Sequence, residues 1–408
     1  MKRLIFSIYS VIFLMGCGSN QTPGIRQGAF YTEEQGKAEL LKIQSLYTNK
    51  AEWETRRKML RNGILKGMNL SPLPERTPLN AVIGTKRIKD GYTVENVYFE
   101  SIPGFYLCGN LYRPLDDHQK HPAILCPHGH TDRDSLGMSG RFRPDQQNRC
   151  ASFARMGAVV FSYSMLGYGE SIKQMDTTAV IEKPISQPSP FHHIAMGLTL
   201  QTWNSMRVVD FLVSIPDVDS SKIAVTGASG GGTQTFMLAA LDDRISVSVP
   251  VVMVSCHFFG GCNCESGLPI HQTDKYTTNN AEIAAMIAPK PMLLISCGAD
   301  WTKNTPTVEL PFLKRTYSFY NAEENVENAH FPLEKHDYGF TKRLPVYKFM
   351  AKHLGLNINA ITDANGQIDE SKNEIEKVNA LLLFSSKNPH PANALKGIDA
   401  IERALKKL

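Results

Sequence analysis

The alternation of apolar and polar positions divides the chain into a helical lead, a sheet-forming body and a polar tail. From Thr32 to Met68, Leu40, Leu41, Ile43, Leu46 and Tyr47, then Trp53, Met59, Leu60, Ile64 and Leu65, recur at intervals of three and four. That spacing is helical and leaves one apolar stripe to pack on a larger body. Tyr92 to Glu100 and Gly104 to Arg113 alternate with period two around Ile102-Pro103-Gly104, which predicts an antiparallel hairpin opening a sheet. Short apolar runs follow at 121–126, 158–163, 222–226, 245–254 and 291–297. Runs of that length between turn residues read as buried strands, most simply of a parallel sheet. Residues 148–156 and 201–214 read as crossover helices, and Pro345 to Leu354 as the last helix of the body. Strands alternating with helices predict the α/β class: a mostly parallel central sheet with helices on both faces.

Ser229 carries the strongest chemical signal. Lys222 to Phe236 reads as strand, glycine-dense turn and helix, and Gly227-Ala228-Ser229-Gly230-Gly231 fits G-x-S-x-G, the nucleophile elbow. The turn is so tight that flanking side chains would collide, and it sets the serine at a helix N-terminus that favours a developing anion. A serine hydroxyl needs a base, and the base needs an orienting acid. Downstream, the strand Pro291 to Cys297 delivers Asp300 at its carboxyl end, where ligands collect in open α/β sheets. His336 follows in the polar loop Glu334-Lys-His-Asp-Tyr-Gly339 and is the preferred base, with His330 as the alternative. For the oxyanion, one N–H donor is that of Gly230. The other is assigned to His130, in the His128-Gly129-His130 turn after the strand from His121. Two histidines at i and i+2 make a poor zinc site, so no metal is expected there.

These motifs, with Gly167-Tyr-Gly169-Glu-Ser171 and Gly298-Ala-Asp300-Trp301, resemble an α/β-hydrolase, and most nearly the acetyl-xylan-esterase-like group of bacterial carbohydrate esterases. The resemblance covers about residues 90 to 355 and extends to the helical lead. It implies a Ser229–His336–Asp300 triad and an oxyanion hole from the N–H groups of Gly230 and His130. The chain departs from that group in its Ala-Ser-Gly-Gly elbow and in a Cys262-Asn-Cys264-Glu265 insert. Phe258, Glu265 and Trp301 are expected on the substrate rim, with aromatic faces for sugar rings.

The N-terminus speaks to location. Lys2 and Arg3 precede an apolar stretch from Leu4 to Leu14, and Leu14-Met15-Gly16-Cys17 resembles a lipobox. Cys17 is therefore expected to be lipidated, anchoring the protein to the bacterial cell envelope, on its periplasmic side or at the surface. The expected organisation is a signal at 1–17, a tether at 18–30, a helical extension at 31–90, a catalytic domain at 91–355 and a C-terminal extension at 356–408. Net charge is only +5, without a basic stripe interleaved with aromatics, so nucleic acid is not an expected partner. Beyond Cys17, seven of the eight cysteines remain. Cys108 and Cys126 fall on strands expected to be neighbours and are a candidate pair. Cys256, His257, Cys262 and Cys264 invite a zinc reading, but the spacing is not C-x-x-C, and a loop lining the site is preferred. Asp363 to Asp369 reads as a turn at Asn365-Gly366.

The resulting expectation is a serine hydrolase removing acetyl or methyl groups from ester-decorated glycans without metal or cofactor. A peptidase of the prolyl-oligopeptidase type is the rival within the fold. It normally carries a large N-terminal domain, for which the lead is too short. A glycan-binding pseudoenzyme is the rival outside catalysis, opposed by the complete set of triad groups. Oligomeric state and ester type stay open at this level.

Overall fold

The computed structural model describes residues 24–116, 119–131, 138–176, 190–385 and 387–407. The lipobox with Cys17 lies outside them.

The expected helical lead is two helices, Glu33–Gln44 and Lys50–Gly67. The break comes where polar side chains can cap. Thr32 starts the first helix with a capping box, and the Asn49 side chain accepts the Glu52 N–H at the start of the second. The apolar stripe packs as its spacing implies, with Trp53, Leu60 and Ile64 fully buried. One charge lies on that face: Arg56 forks onto the buried carboxylate of Glu282 at 2.8 and 2.9 Å. Removing one member would strand the other in the core, so the pair fixes how the lead docks.

The sheet holds ten strands: β1 Val82–Ile83, β2 Arg87–Lys89, β3 Tyr92–Ile102, β4 Phe105–Pro114, β5 His121–Leu125, β6 Val159–Tyr163, β7 Val218–Ala228, β8 Ile245–Val251, β9 Met292–Cys297 and β10 Val326–Phe331. Their order is β1-β3-β4-β6-β5-β7-β8-β9-β10, with β2 also on β3. Pairing is antiparallel up to β4/β6 and parallel from β6 to β10. The α/β-hydrolase expectation therefore holds, with the hairpin β3–β4 in its expected place. β10 escapes the pattern of apolar runs because it is an edge strand whose residues after Val326 are only half-buried.

Sequence order misleads at one point. β4 and β5 are consecutive, yet β6 lies between them, so Cys108 and Cys126 are not on neighbouring strands. The seven cysteines described are all buried free thiols. The long helix Gly197–Ser214 is buried almost throughout, as is Gly230–Leu241 after β7.

The tail from Leu356 onward wraps the antiparallel end of the sheet. Asn96 and Asn110 donate to the carbonyls of Ala380 and Leu381, and Arg87 forks onto Glu376. At the predicted turn, Gly366 takes a positive φ of 74° and the Asp363 carboxylate accepts the N–H groups of Asn365 and Gln367. The carboxylate is thereby spent on its own loop.

Candidate active site

β5 and β7 are adjacent and parallel, pairing Leu125 with Val225, so the loops at their carboxyl ends meet. At the end of β7, Ser229 sits at φ 56° and ψ −122°, a left-handed conformation that a β-carbon disfavours. Its N–H donates to Val251 O at 3.1 Å, and its carbonyl accepts from Thr233 N at 2.9 Å. The glycines around it answer to a packing limit. A β-carbon on Gly227 would lie 2.3 Å from Pro127 O, and one on Gly231 would lie 2.4 Å from the same atom. The β5 loop thus presses directly on the elbow. Gly230 begins the following helix, where its N–H has no partner within the helix.

The His128-Gly129-His130 turn is set by a buried imidazole. His128 Nε2 accepts the Met165 N–H at 3.1 Å, so the proton resides on Nδ1, which donates to Gly129 O at 2.9 Å. Burial pushes His128 down to about 3, so it stays neutral and this tautomer persists. Because a trans peptide points its C=O and N–H in opposite directions, a Gly129 carbonyl aimed at His128 turns the His130 N–H away from it. A β-carbon on Gly129 would come within 2.6 Å of Ala228 O and 3.0 Å of Ser229 Cβ, so this peptide borders the nucleophile.

Asp300 leaves β9 through the turn after Cys297. Its side chain is 2% exposed and its Oδ2 lies 2.7 Å from His336 Nδ1. The other oxygen accepts from Thr302 N at 2.7 Å and from Thr302 Oγ1 at 2.5 Å. Burial works against the charge, but the bonds from His336 and Thr302 prevail and hold the carboxyl below its usual range. His336 and Ser229 line one cleft of about 340 Å³, together with Gly129, His130, Arg143, Arg149, Asp337 and Tyr338. His330, the alternative base, lies on β10 with Nδ1 against Ser296 Oγ at 2.8 Å. It is absent from the lining of that cleft.

The expected rim is built differently. Phe258 and Trp301 stack on each other at 3.8 Å, and Trp301 leans on the His336 ring at 4.7 Å. Each aromatic gives a face to its neighbour, and neither lines the Ser229 cleft. Glu265 departs further from the rim assignment. Its side chain is 5% exposed and reaches His130 Nδ1 at 3.3 Å and the Gly261 N–H at 2.6 Å. The insert that carries it folds inward, so the carboxylate forms part of the wall behind His130. Against burial, Cys262 and this carboxylate hold the His130 imidazole up, to about 10.

Two arginines near the turn have separate fates. Arg141 donates through one guanidinium nitrogen to both oxygens of Glu170, at 2.6 and 2.8 Å, with both side chains fully buried. Glu170 also accepts the Leu383 N–H, so the Gly167–Ser171 motif is tied to the C-terminal tail. Arg143 lines the cleft and pairs with Asp145 at 3.0 Å. Sequence reasoning missed Arg149. It lies within the helix Pro144–Arg155, stacks 4.1 Å over the Tyr338 ring and donates to Gln146 Oε1. Its Nε and Nη1 are buried without a hydrogen-bond partner among the described residues. The available signal was a charge inside a helix otherwise expected to cover the sheet.

The comparisons with known proteins agree with this architecture. Residues 87–266 match the acetyl xylan esterase (AXE1) family. A glucuronoyl esterase of carbohydrate esterase family 15 from Teredinibacter turnerae shares the fold at TM-score 0.52 and 13% identity, covering 79% of this chain and 99% of its own. A 4-O-methyl-glucuronoyl methylesterase from Wolfiporia cocos is 28% identical over 130 residues, 24% of this chain and only 31% of that protein. The solved structure of methylesterase BT1017 superposes at TM-score 0.80 with 38% identity, covering 94% of this chain and 81% of that one. At that identity and coverage, the chain belongs to the same family of α/β-hydrolase esterases and is a carboxylic ester hydrolase.

Proposed function

We propose that the protein hydrolyses methyl esters of uronic acid residues in glycans through Ser229, His336 and Asp300. The observation that carries the reading is the Asp300–His336 pair at 2.7 Å, on a cleft shared with a serine at a positive-φ elbow. With Nδ1 committed to Asp300, Nε2 of His336 is the nitrogen left to take the serine proton. Ser229 Oγ attacks the ester carbonyl, and the oxyanion is received by the N–H groups of Gly230 and His130. His336 then protonates the departing methanol. Water, activated by the same imidazole, releases the uronate and restores the serine.

Two observations favour methyl over acetyl esters. A relative that is 38% identical and covers 94% of this chain is a methylesterase. The lining of the cleft also carries the cations Arg143, paired with Asp145, and Arg149, which is almost fully buried in its wall. Cations there suit a polyuronate, whose unesterified neighbours are carboxylates, whereas an acetylated neutral glycan gives them nothing to pair with.

The deciding measurement compares methanol release from methyl-esterified uronate oligosaccharides with acetate release from acetylated xylo-oligosaccharides. Methanol should dominate, and Ser229→Ala should lower kcat by about 10⁴-fold. Acetate release alone, or a Ser229→Ala protein keeping a tenth of the activity, refutes the proposal. We propose separately, from the lipobox-like Leu14-Met15-Gly16-Cys17, that a lipid on Cys17 holds the protein at the bacterial envelope. Cys17→Ser should release it from membranes or block its maturation, and a variant that survives an alkaline wash in the membrane fraction removes the anchor from the proposal.

A further inference from the structure

We infer that His130, Cys262 and Cys264 bind a zinc ion in the wall of the Ser229 cleft. The spacing within the Cys256–Cys264 stretch, which is not C-x-x-C, argued against a metal held by that stretch alone, so a site here needs a ligand from elsewhere. The fold supplies one from more than a hundred residues away. His130 Nε2 lies 3.1 Å from Cys264 Sγ and 3.7 Å from Cys262 Sγ, and the three ligand atoms all fall within 4.8 Å of one another. For zinc at about 2.3 Å from sulfur and about 2.05 Å from nitrogen, tetrahedral geometry puts S···N edges near about 3.6 Å and S···S edges near about 3.8 Å. The two nitrogen-to-sulfur distances therefore lie within about 0.5 Å of the required edge, and the three ligand atoms are close enough to close on one ion with a small side-chain adjustment.

The surroundings match a metal-binding histidine. Glu265 Oε1 faces the other ring nitrogen, Nδ1, at 3.3 Å, and the same carboxylate is fixed by the Gly261 N–H. When zinc takes Nε2 in place of its proton, a carboxylate behind the ring keeps the other proton on Nδ1 and aims Nε2 at the sulfurs. Two thiolates and a neutral imidazole leave a zinc site with no net charge, which suits its buried position. Both cysteines are buried, while the His130 side chain is 30% exposed, so the approach is from the cleft.

The second cluster of possible ligands, Cys256, His257 and Glu309, is a weaker candidate. Glu309 accepts the Cys256 backbone N–H, and His257 Nδ1 is bonded to Ser255 Oγ, so its groups are engaged with one another and with the loop. It serves as the internal control.

Zinc here takes no part in the ester chemistry. It clamps the 262–264 insert onto the turn that carries the His130 N–H. A β-carbon on Gly230 would lie 3.1 Å from His130 Cε1, so the clamp is one residue from the nucleophile.

The test is metal content. The purified full chain is stripped with a chelator, reduced and titrated with zinc, then with cobalt(II), whose thiolate complexes absorb in the near ultraviolet. One zinc per chain and a thiolate-to-cobalt band are expected. Cys262→Ser and Cys264→Ser should each abolish the band, Glu265→Gln should weaken zinc binding by about 10- to 100-fold, and Cys256→Ser should leave both readouts intact. The cobalt spectrum of the unaltered protein stands even where a variant misfolds. Substoichiometric zinc without a cobalt band, metal that follows Cys256, or a Cys262–Cys264 disulfide that takes up no zinc after reduction overturns the inference. None of these readouts depends on esterase turnover.

Discussion

Replacing Asp300 by Asn isolates the orienting group of the site, and the structure dictates which way the amide must face. Thr302 brings two donors to the far oxygen of Asp300, its N–H at 2.7 Å and its hydroxyl at 2.5 Å. The backbone N–H can only donate, and the hydroxyl oxygen already accepts the Cys297 N–H at 3.1 Å, so both favour an oxygen on that side. In Asp300→Asn the amide oxygen is therefore held on Thr302 and the NH₂ is turned onto His336. Nδ1 must then accept, the ring proton moves to Nε2, and the imidazole cannot take the serine proton. A wrong tautomer of this kind costs about 10⁴-fold in kcat, about 5.5 kcal/mol of transition-state stabilisation. Stability should fall far less, by about 1–3 kcal/mol, since the side chain keeps its shape and most of its partners. The assay is kcat on a chromogenic acetate and on a methyl uronate, beside thermal melts of the same preparations. A folded Asp300→Asn protein within tenfold of the unaltered kcat would refute the orienting role.

The acid branch of stability offers an independent check on the same carboxylate. Its folded pKa is depressed, so its contribution is present above the ordinary value of 3.8 and is lost as pH falls below it. The difference in Tm between the unaltered protein and Asp300→Asn should shrink on acidification below that pH, and a gap that widens would contradict the assignment. Arg149→Met should raise KM for methyl-esterified oligouronates by about tenfold or more, while sparing a small chromogenic ester that has no second carboxylate. Equal effects on both substrates would make Arg149 a packing residue. Arg141→Met strands Glu170 in the core and should destabilise the fold by about 3–5 kcal/mol, read from denaturant midpoints. A shift below about 1 kcal/mol would mean that the pair is compensated elsewhere.

What the sequence determined about this protein is what short-range sterics and periodicity can encode. The elbow was legible because only glycine fits beside Pro127 O at positions 227 and 231, and because an apolar run and a helix frame it. Asp300 and His336 followed from chain order, and the structure joins them at 2.7 Å. The apolar runs announced the buried strands, whereas β10 was silent because an edge strand needs no continuous apolar face. The tertiary structure alone decided contacts between residues far apart in the chain. Inserting β6 between β4 and β5 separated Cys108 from Cys126. Folding the Cys262–Glu265 insert inward took Glu265 from the rim and set two thiols against His130. Burial turned Arg149 from a helix residue into part of the wall of the cleft. Such contacts leave no periodic trace, because each depends on how whole elements pack rather than on which residues are neighbours along the chain.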